Sequence, residues 1–196
     1  MTLYFLLGIF ALLCCLPLLS LWRILDRFTM KMSRGFQYVV NGAFTISALA
    51  CLAIVLVQLT SLVGRNIFGV SFIWLQESAI YFFALSFLLA GGAVLLANAH
   101  VRVDVFYARW SPKTQALIDL VGLYLFVFPV CGLIITAAAP YVLQSWSTLE
   151  RSSEPSGIHA VYLLKTMIPT FGVLLALAGF VRATQMVALL KKERGI

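Results

Sequence analysis

Five stretches of this chain, residues 2–22, 38–64, 70–97, 114–140 and 160–181, each carry at most one charged side chain. A helix of roughly 20 apolar residues crosses a bilayer, so each stretch is long enough to span one. None alternates with period two, and all are too long for barrel strands, which excludes a β-barrel. Of the 196 residues, 62 % are hydrophobic and 11 % charged, against ~45–50 % and ~25 % in soluble domains. A soluble body of this size cannot bury that much apolar surface. A disordered chain would not carry it. The sequence therefore predicts an all-α integral membrane protein, with a four-helix core plus an extra N-terminal transmembrane helix.

The charges orient these spans. Arg23, Arg27, Lys31 and Arg34 follow the first; His100, Arg102, Arg109 and Lys113 lie between the third and fourth; Arg182, Lys191, Lys192 and Arg194 follow the fifth. The second-to-third turn holds only Arg65, and the fourth-to-fifth loop sets Arg151 against Glu150 and Glu154. Basic residues thus collect at alternate connections, which the positive-inside rule assigns to the cytoplasm. The N terminus is then outside and the C terminus inside. Trp22, Trp74, Trp110 and Trp146 all fall at or just beyond a span end, where an aromatic belt sits at the headgroups. The net charge of +7 reads as contact with anionic lipid, not with nucleic acid.

The first span, Thr2 to Trp22, lacks a basic start and a small-x-small cleavage site, and its basic cluster comes after it. It reads as a retained helix rather than a signal peptide. In the following link, Ile24, Leu25, Phe28 and Met32 recur at helical spacing, with the basic residues mostly elsewhere on the wheel. This fits an amphipathic interfacial helix on the inner leaflet, or an extension of the first span whose arginines snorkel. The chain divides into 1–22, the N-terminal helix; 23–37, an amphipathic cytoplasmic-face linker; 38–190, the four-helix core; and 191–196, a basic tail.

Little in the sequence points to catalysis. Cys14, Cys15, Cys51 and Cys131 lie inside spans without a Cys-x-x-Cys pair and read as small hydrophobes. His100 and His159 fall on opposite faces, separated by about 30 Å of hydrocarbon, so they cannot share a haem or metal. No phosphate loop, His-Glu-x-x-His or nucleophile elbow is present. Asn41, Gln58 and Thr136 are scattered single polar residues, whereas a permease needs a polar pathway, broken helices or inverted repeats. A membrane anchor of another complex stays open as an alternative. A membrane-embedded enzyme would need polar residues clustered on one face.

Three charges lie within spans: Glu77 and Lys165 near outer helix starts, and Asp119 near an inner one. Intramembrane charges are costly. Glu77 and Lys165 share a depth and have opposite signs, so they can pair if their helices are neighbours. Asp119 can meet His100 or Arg102. Ala79, Ser86, Ala90, Ala93 and Ala97 recur at helical spacing beside Gly91 and Gly92, a stripe suited to close packing within the chain or on a partner. Pro129 and Pro169 are candidate kinks.

Three ordered motifs carry a resemblance: Arg65-Asn66-Ile67-Phe68-Gly69, Trp74-Leu75-Gln76-Glu77, and His100-Val101-Arg102-Val103-Asp104. With Glu154-Pro155-Ser156-Gly157 and the Lys165 and Pro169 region, they make the chain similar to the small membrane subunit of tripartite ATP-independent periplasmic (TRAP) transporters, of the larger organic-acid or keto-acid type. The resemblance covers about 38–190. Gln76 replaces the first acid of the family's Trp-x-acid-acid pattern, and the first span lies outside the family core. The resemblance implies a non-enzymatic scaffold in the bacterial inner membrane, without cofactor, bound to a large permease subunit that holds the substrate and sodium sites. It also implies a soluble periplasmic binding protein as the second partner. Arg65, Trp74, Glu77, His100, Arg102, Asp104, Asp119, Glu154 and Lys165 are the candidate structural or subunit-contact residues.

Overall fold

A computed structural model describes residues 26–99 and 107–193, with Gly8, Ala11 and residues 14–18 of the N-terminal stretch. Among these residues there are helices and no strand. The order is α1 (Asp26–Ile67), α2 (Ile73–Leu96), α3 (Pro112–Gly122), a π-helical turn (Leu123–Val127), α4 (Phe128–Thr148) and α5 (Val161–Glu193). Four continuous helical rods are long and apolar enough to cross a membrane: Arg27–Ile67, Ile73–Leu96, Pro112–Thr148 and Val161–Lys192. The chain is an all-α membrane protein. Most of the expected N-terminal span lies outside the described residues. Of its described part, Cys14 joins a buried cluster with Leu120, Leu123, Ala183 and Val187, and its carbonyl accepts from the Tyr124 hydroxyl at 2.6 Å.

Local sequence explains the ends. Ser111 caps α3 by accepting from the Thr114 amide at 3.3 Å, and Pro112 opens the helix, where its missing N–H costs nothing. Between α1 and α2, the Gly64 carbonyl accepts from the amides of Phe68 (3.2 Å) and Val70 (3.0 Å). That turn needs φ +67° at residue 69, which glycine adopts freely. The π-turn ends where the Phe128 amide bonds back to the Leu123 carbonyl. The next residue, Pro129, has no amide to continue the α pattern, and the wider turn meets that break.

Helix lengths exceed the uncharged runs. α1 has 42 residues, about 63 Å at 1.5 Å per residue, roughly twice the ~30 Å hydrocarbon core. The part of the link from Asp26 onward, expected as an amphipathic interfacial helix or an extension of the first span, is helical and runs into α1 without a break; residues 19–25, which would join it to the first span, lie outside the described residues. The reason is lateral cover. Thr29, Ser33 and Val40 recur along one buried face, and on the same face the Phe36 ring meets Phe180 of α5 edge-on at 5.1 Å. α5 likewise continues to Glu193, beyond the expected end at residue 181. Its extension carries Ala183, Met186 and Val187 into the buried cluster.

α5 is the central rod. It packs against α1, α2, α3 and α4, whereas α4 has no substantial contact with α1 or α2. In the most apolar window of α5, 56 % of residues are buried, against 11 % in α1. At the α1–α2–α5 junction, a Cβ on Gly92 would lie 2.9 Å from the Leu174 carbonyl oxygen and 3.3 Å from Val40 Cγ1. A Cβ on Gly91 would collide with the Phe171 ring. Ser47 Oγ donates to the Ser86 carbonyl at 2.5 Å. The small-residue stripe of α2 therefore packs within the chain at Ser86, Gly91 and Gly92.

Gly92→Ala is expected to destabilise the detergent-solubilised protein by about 1–3 kcal/mol through overpacking, read as a lowered melting temperature. Gly122→Ala, whose Cβ meets nothing within 4 Å, is expected to cause no such loss.

Candidate functional site

At the bundle end that carries the α1–α2 turn, one carboxylate organises the loop between α4 and α5. Glu77 sits in the second turn of α2. Its Oε1 accepts from the Ser152 hydroxyl, and its Oε2 accepts from the Ile158 amide at 2.6 Å. The loop closes on itself around this anchor. The Ser152 amide donates to the Ile158 carbonyl (3.3 Å) and the Gly157 amide to the Glu154 carbonyl (3.0 Å), while the Glu154 amide donates to Ser152 Oγ at 3.1 Å. A Cβ at residue 157 would strike the Ser152 side chain and lie 2.7 Å from Glu77 Oε1, so glycine is the residue that fits.

A second anchor holds the start of the loop. Leu149 ends α4 in the left-handed region at φ 45°, a conformation that costs a non-glycine residue about 1–2 kcal/mol. It redirects the chain so that the Glu150 amide donates to the Ser145 carbonyl at 3.0 Å. The Glu150 carboxylate then takes Lys165 of α5 at 2.5 Å. Lys165 Nζ also lies 3.9 Å from the centre of the Tyr141 ring, a favourable site for a cation. Beside this pair, Trp146 Nε1 donates to Thr166 Oγ1 at 2.9 Å, and its ring packs on Tyr162 at 4.6 Å. The hydrogen bond from Lys165 holds the Glu150 carboxyl below the ordinary carboxylate range.

The opposite end is braced independently. Arg182 of α5 reaches Asp119 of α3 at 3.5 Å, with both side chains largely buried. It also donates to Asn98 Oδ1 at 2.9 Å. Asn98 lies just past α2 at φ 60°, a helix-ending conformation that asparagine tolerates. One guanidinium thus ties the ends of α2 and α3 to α5.

Several expected site residues lie at the loop end. Glu77, Glu154 and Lys165 come together around the loop, although Glu154 contributes its backbone and leaves its side chain exposed. The Glu77–Lys165 pairing that the sequence left open is not formed. The two helices do pack, but each charge takes a partner from the intervening loop. Arg65 and Trp74 lie exposed at the same end, with Trp74 against Phe72 at 6.1 Å. Asp119 takes Arg182, a residue of α5. His100, Arg102 and Asp104 fall outside the described residues. The sequence reading missed Glu150, Ser152, Gly157 and Arg182 as structural partners. A signal existed for Glu150, an acid in the loop joining the fourth and fifth spans, on the side where the Lys165 span begins.

Together these features define a class: a multi-pass helical membrane protein whose paired charges brace its connections. Residues 54–189 match the family model of the tripartite ATP-independent periplasmic transporters, DctQ component. The chain belongs to this family, and it is a small permease subunit of a TRAP transporter. Such a subunit is one component of a tripartite system with a large permease and a binding protein. No curated protein and no solved structure matches the chain.

Two measurements follow from the loop geometry. Glu77→Ala removes the acceptor of the Ile158 amide, so its hydrogen exchange should accelerate about tenfold or more; Glu154→Ala should leave it unchanged. Because the Glu150 carboxyl is depressed in the folded state, its stabilising effect is present above the unfolded carboxylate pKa. It is lost as pH falls through the lower folded value. Protease resistance of the loop should therefore hold at neutral pH and fall only on acidification below the ordinary carboxylate range. Glu150→Gln should weaken that dependence without abolishing it, because the Glu77 carboxylate also anchors the loop.

Proposed function

We propose that this subunit is a non-catalytic scaffold in a sodium-driven TRAP transporter that imports an organic acid across the bacterial inner membrane. In this reading the large permease subunit holds the substrate and sodium, and the subunit described here widens its rigid frame. The loop at 149–160 faces the periplasm and helps dock the substrate-binding protein. The C terminus lies inside, since Arg109, Lys113, Lys191 and Lys192 share the end opposite that loop and the positive-inside rule assigns that end to the cytoplasm; with the first helix retained, the N terminus lies outside.

The observation that carries the docking role is the anchoring of the loop by Glu77 through Ser152 and Ile158. A loop fixed before contact loses less conformational freedom on binding. Arg151, Glu154, Ser156 and His159 remain on its exposed surface, as a polar interface rim requires.

The test is uptake of candidate carboxylates by cells carrying the subunit with its large permease and binding protein, with and without sodium. Uptake should require sodium, and the subunit should co-purify with the much larger permease. Glu77→Ala should preserve co-purification and reduce uptake several-fold. Uptake indifferent to sodium, or transport by the purified small subunit alone in liposomes, would overturn the proposal. A cysteine placed at Arg151 and labelled from outside whole cells checks the orientation.

A further inference from the structure

A groove of about 630 Å³ runs along α1 at the end that carries the loop, lined by Val55, Gln58, Ser61, Leu62 and Arg65 of α1 and by Gln76 of α2. Its mouth and its floor differ in chemistry. At the mouth, the exposed Arg65 guanidinium has no hydrogen-bond or ion-pair partner among the described residues. Gln76 beside it is neutral, and its amide nitrogen is held by Ser71 Oγ at 2.8 Å. Gln58 and Ser61 add polar groups below the mouth. Leu62, one turn below Arg65, and Leu59, Val55 and Ile54 deeper along α1 give the wall its apolar surface.

We propose that this groove binds an anionic phospholipid of the adjacent leaflet, with its phosphate on Arg65 and an acyl chain along Leu62 and Val55. Three arguments select this ligand. First, guanidinium pairs bidentately with phosphate oxygens, and among the described residues no acidic one lines the groove to compete. Second, Arg65 lies at the α1 terminus, level with Trp74 just across the turn, where headgroups are expected. Third, the ten residues from Arg65 back to Val55 rise about 15 Å along the helix, which equals one leaflet of a ~30 Å hydrocarbon core. An acidic side chain from a protein partner would fill the mouth and leave that floor uncovered. A free anion would leave it uncovered too.

The site depends on this end of the bundle lying at a membrane surface and not on the transport reading, so either can fail alone. The purified full chain is titrated in detergent with phosphatidylglycerol or with phosphatidylcholine, and retained lipid is counted by native mass spectrometry. The chain should retain phosphatidylglycerol preferentially. Arg65→Gln should reduce that retention about fivefold or more. Arg65→Lys should keep a large part of it, and Gln76→Glu, which sets a negative charge beside Arg65, should reduce it with the arginine intact. Arg151→Gln, in the loop, should leave it unchanged. Equal retention by the parent chain, Arg65→Gln and Gln76→Glu would overturn the proposal, as would displacement of the lipid by inorganic phosphate alone. In the assembled transporter, a photo-crosslinking residue at Leu62 should capture lipid; capture of the large permease alone would assign the groove to a protein contact and overturn it.

Discussion

Helices in lipid gain nothing by hiding apolar surface from one another, because the surroundings are as apolar as the interface. What remains is close approach, and here it depends on the contact between Gly92 and the backbone of Leu174. The missing Cβ lets α2 sit against α5 while Val40 of α1 closes the third side. With that junction made, α5 becomes the common wall for every other long helix. The covering of α5 also explains the overlong rods. A helix leaves the hydrocarbon and stays helical where its face is occupied, as at Phe36 against Phe180.

Polar braces then fix what packing alone would leave loose. Arg182 gathers α2 and α3 onto α5 at one end through Asn98 and Asp119. At the other end Glu77 and Lys165 each hold the loop between α4 and α5, by different atoms and from different helices. Buried charges are costly unless paired and hydrogen-bonded. Glu77, Lys165 and Asp119 sit within the first two or three turns of their helices, and Arg182 meets Asp119 at that level, where the penalty is smaller than at mid-membrane. The left-handed Leu149 belongs to the same arrangement, since its turn delivers Glu150 to Lys165. Strain of this kind persists where the surroundings over-determine the backbone.

The fold was legible where one rule governs it. Uncharged length marks a membrane crossing, so the four core spans, their order and the grouping of their connections at two ends could be read directly. Span limits were less legible, because Arg27, Lys31 and Arg34 look like the end of a helix until one knows that Thr29 and Ser33 face a neighbour. Gly69 was readable from its turn motif. At the site, depth and sign placed Glu77 and Lys165 at the same end, and that much holds. Their partners were not readable, because Ser152, Ile158 and Glu150 reach them through the path of a loop, which has no periodicity. Arg182 was counted among charges beyond the last span. It became a partner of Asp119 only once α5 was seen to continue past it.

The docking role proposed for this loop requires a surface whose shape exists before contact. Ordering one residue of flexible backbone costs about 1–2 kcal/mol, so a mobile loop of this length could absorb on the order of 10 kcal/mol of docking energy. That would weaken the encounter or require a larger interface than a transient complex tolerates. Glu77 lowers this cost by satisfying two of the loop's donors, while the side chains of Arg151, Glu154, Ser156 and His159 stay exposed. The anchor is set on α2, which packs on the buried central helix. The rigidity of the loop is therefore borrowed from the Gly92 junction, and a change in that packing would reach the loop through Glu77.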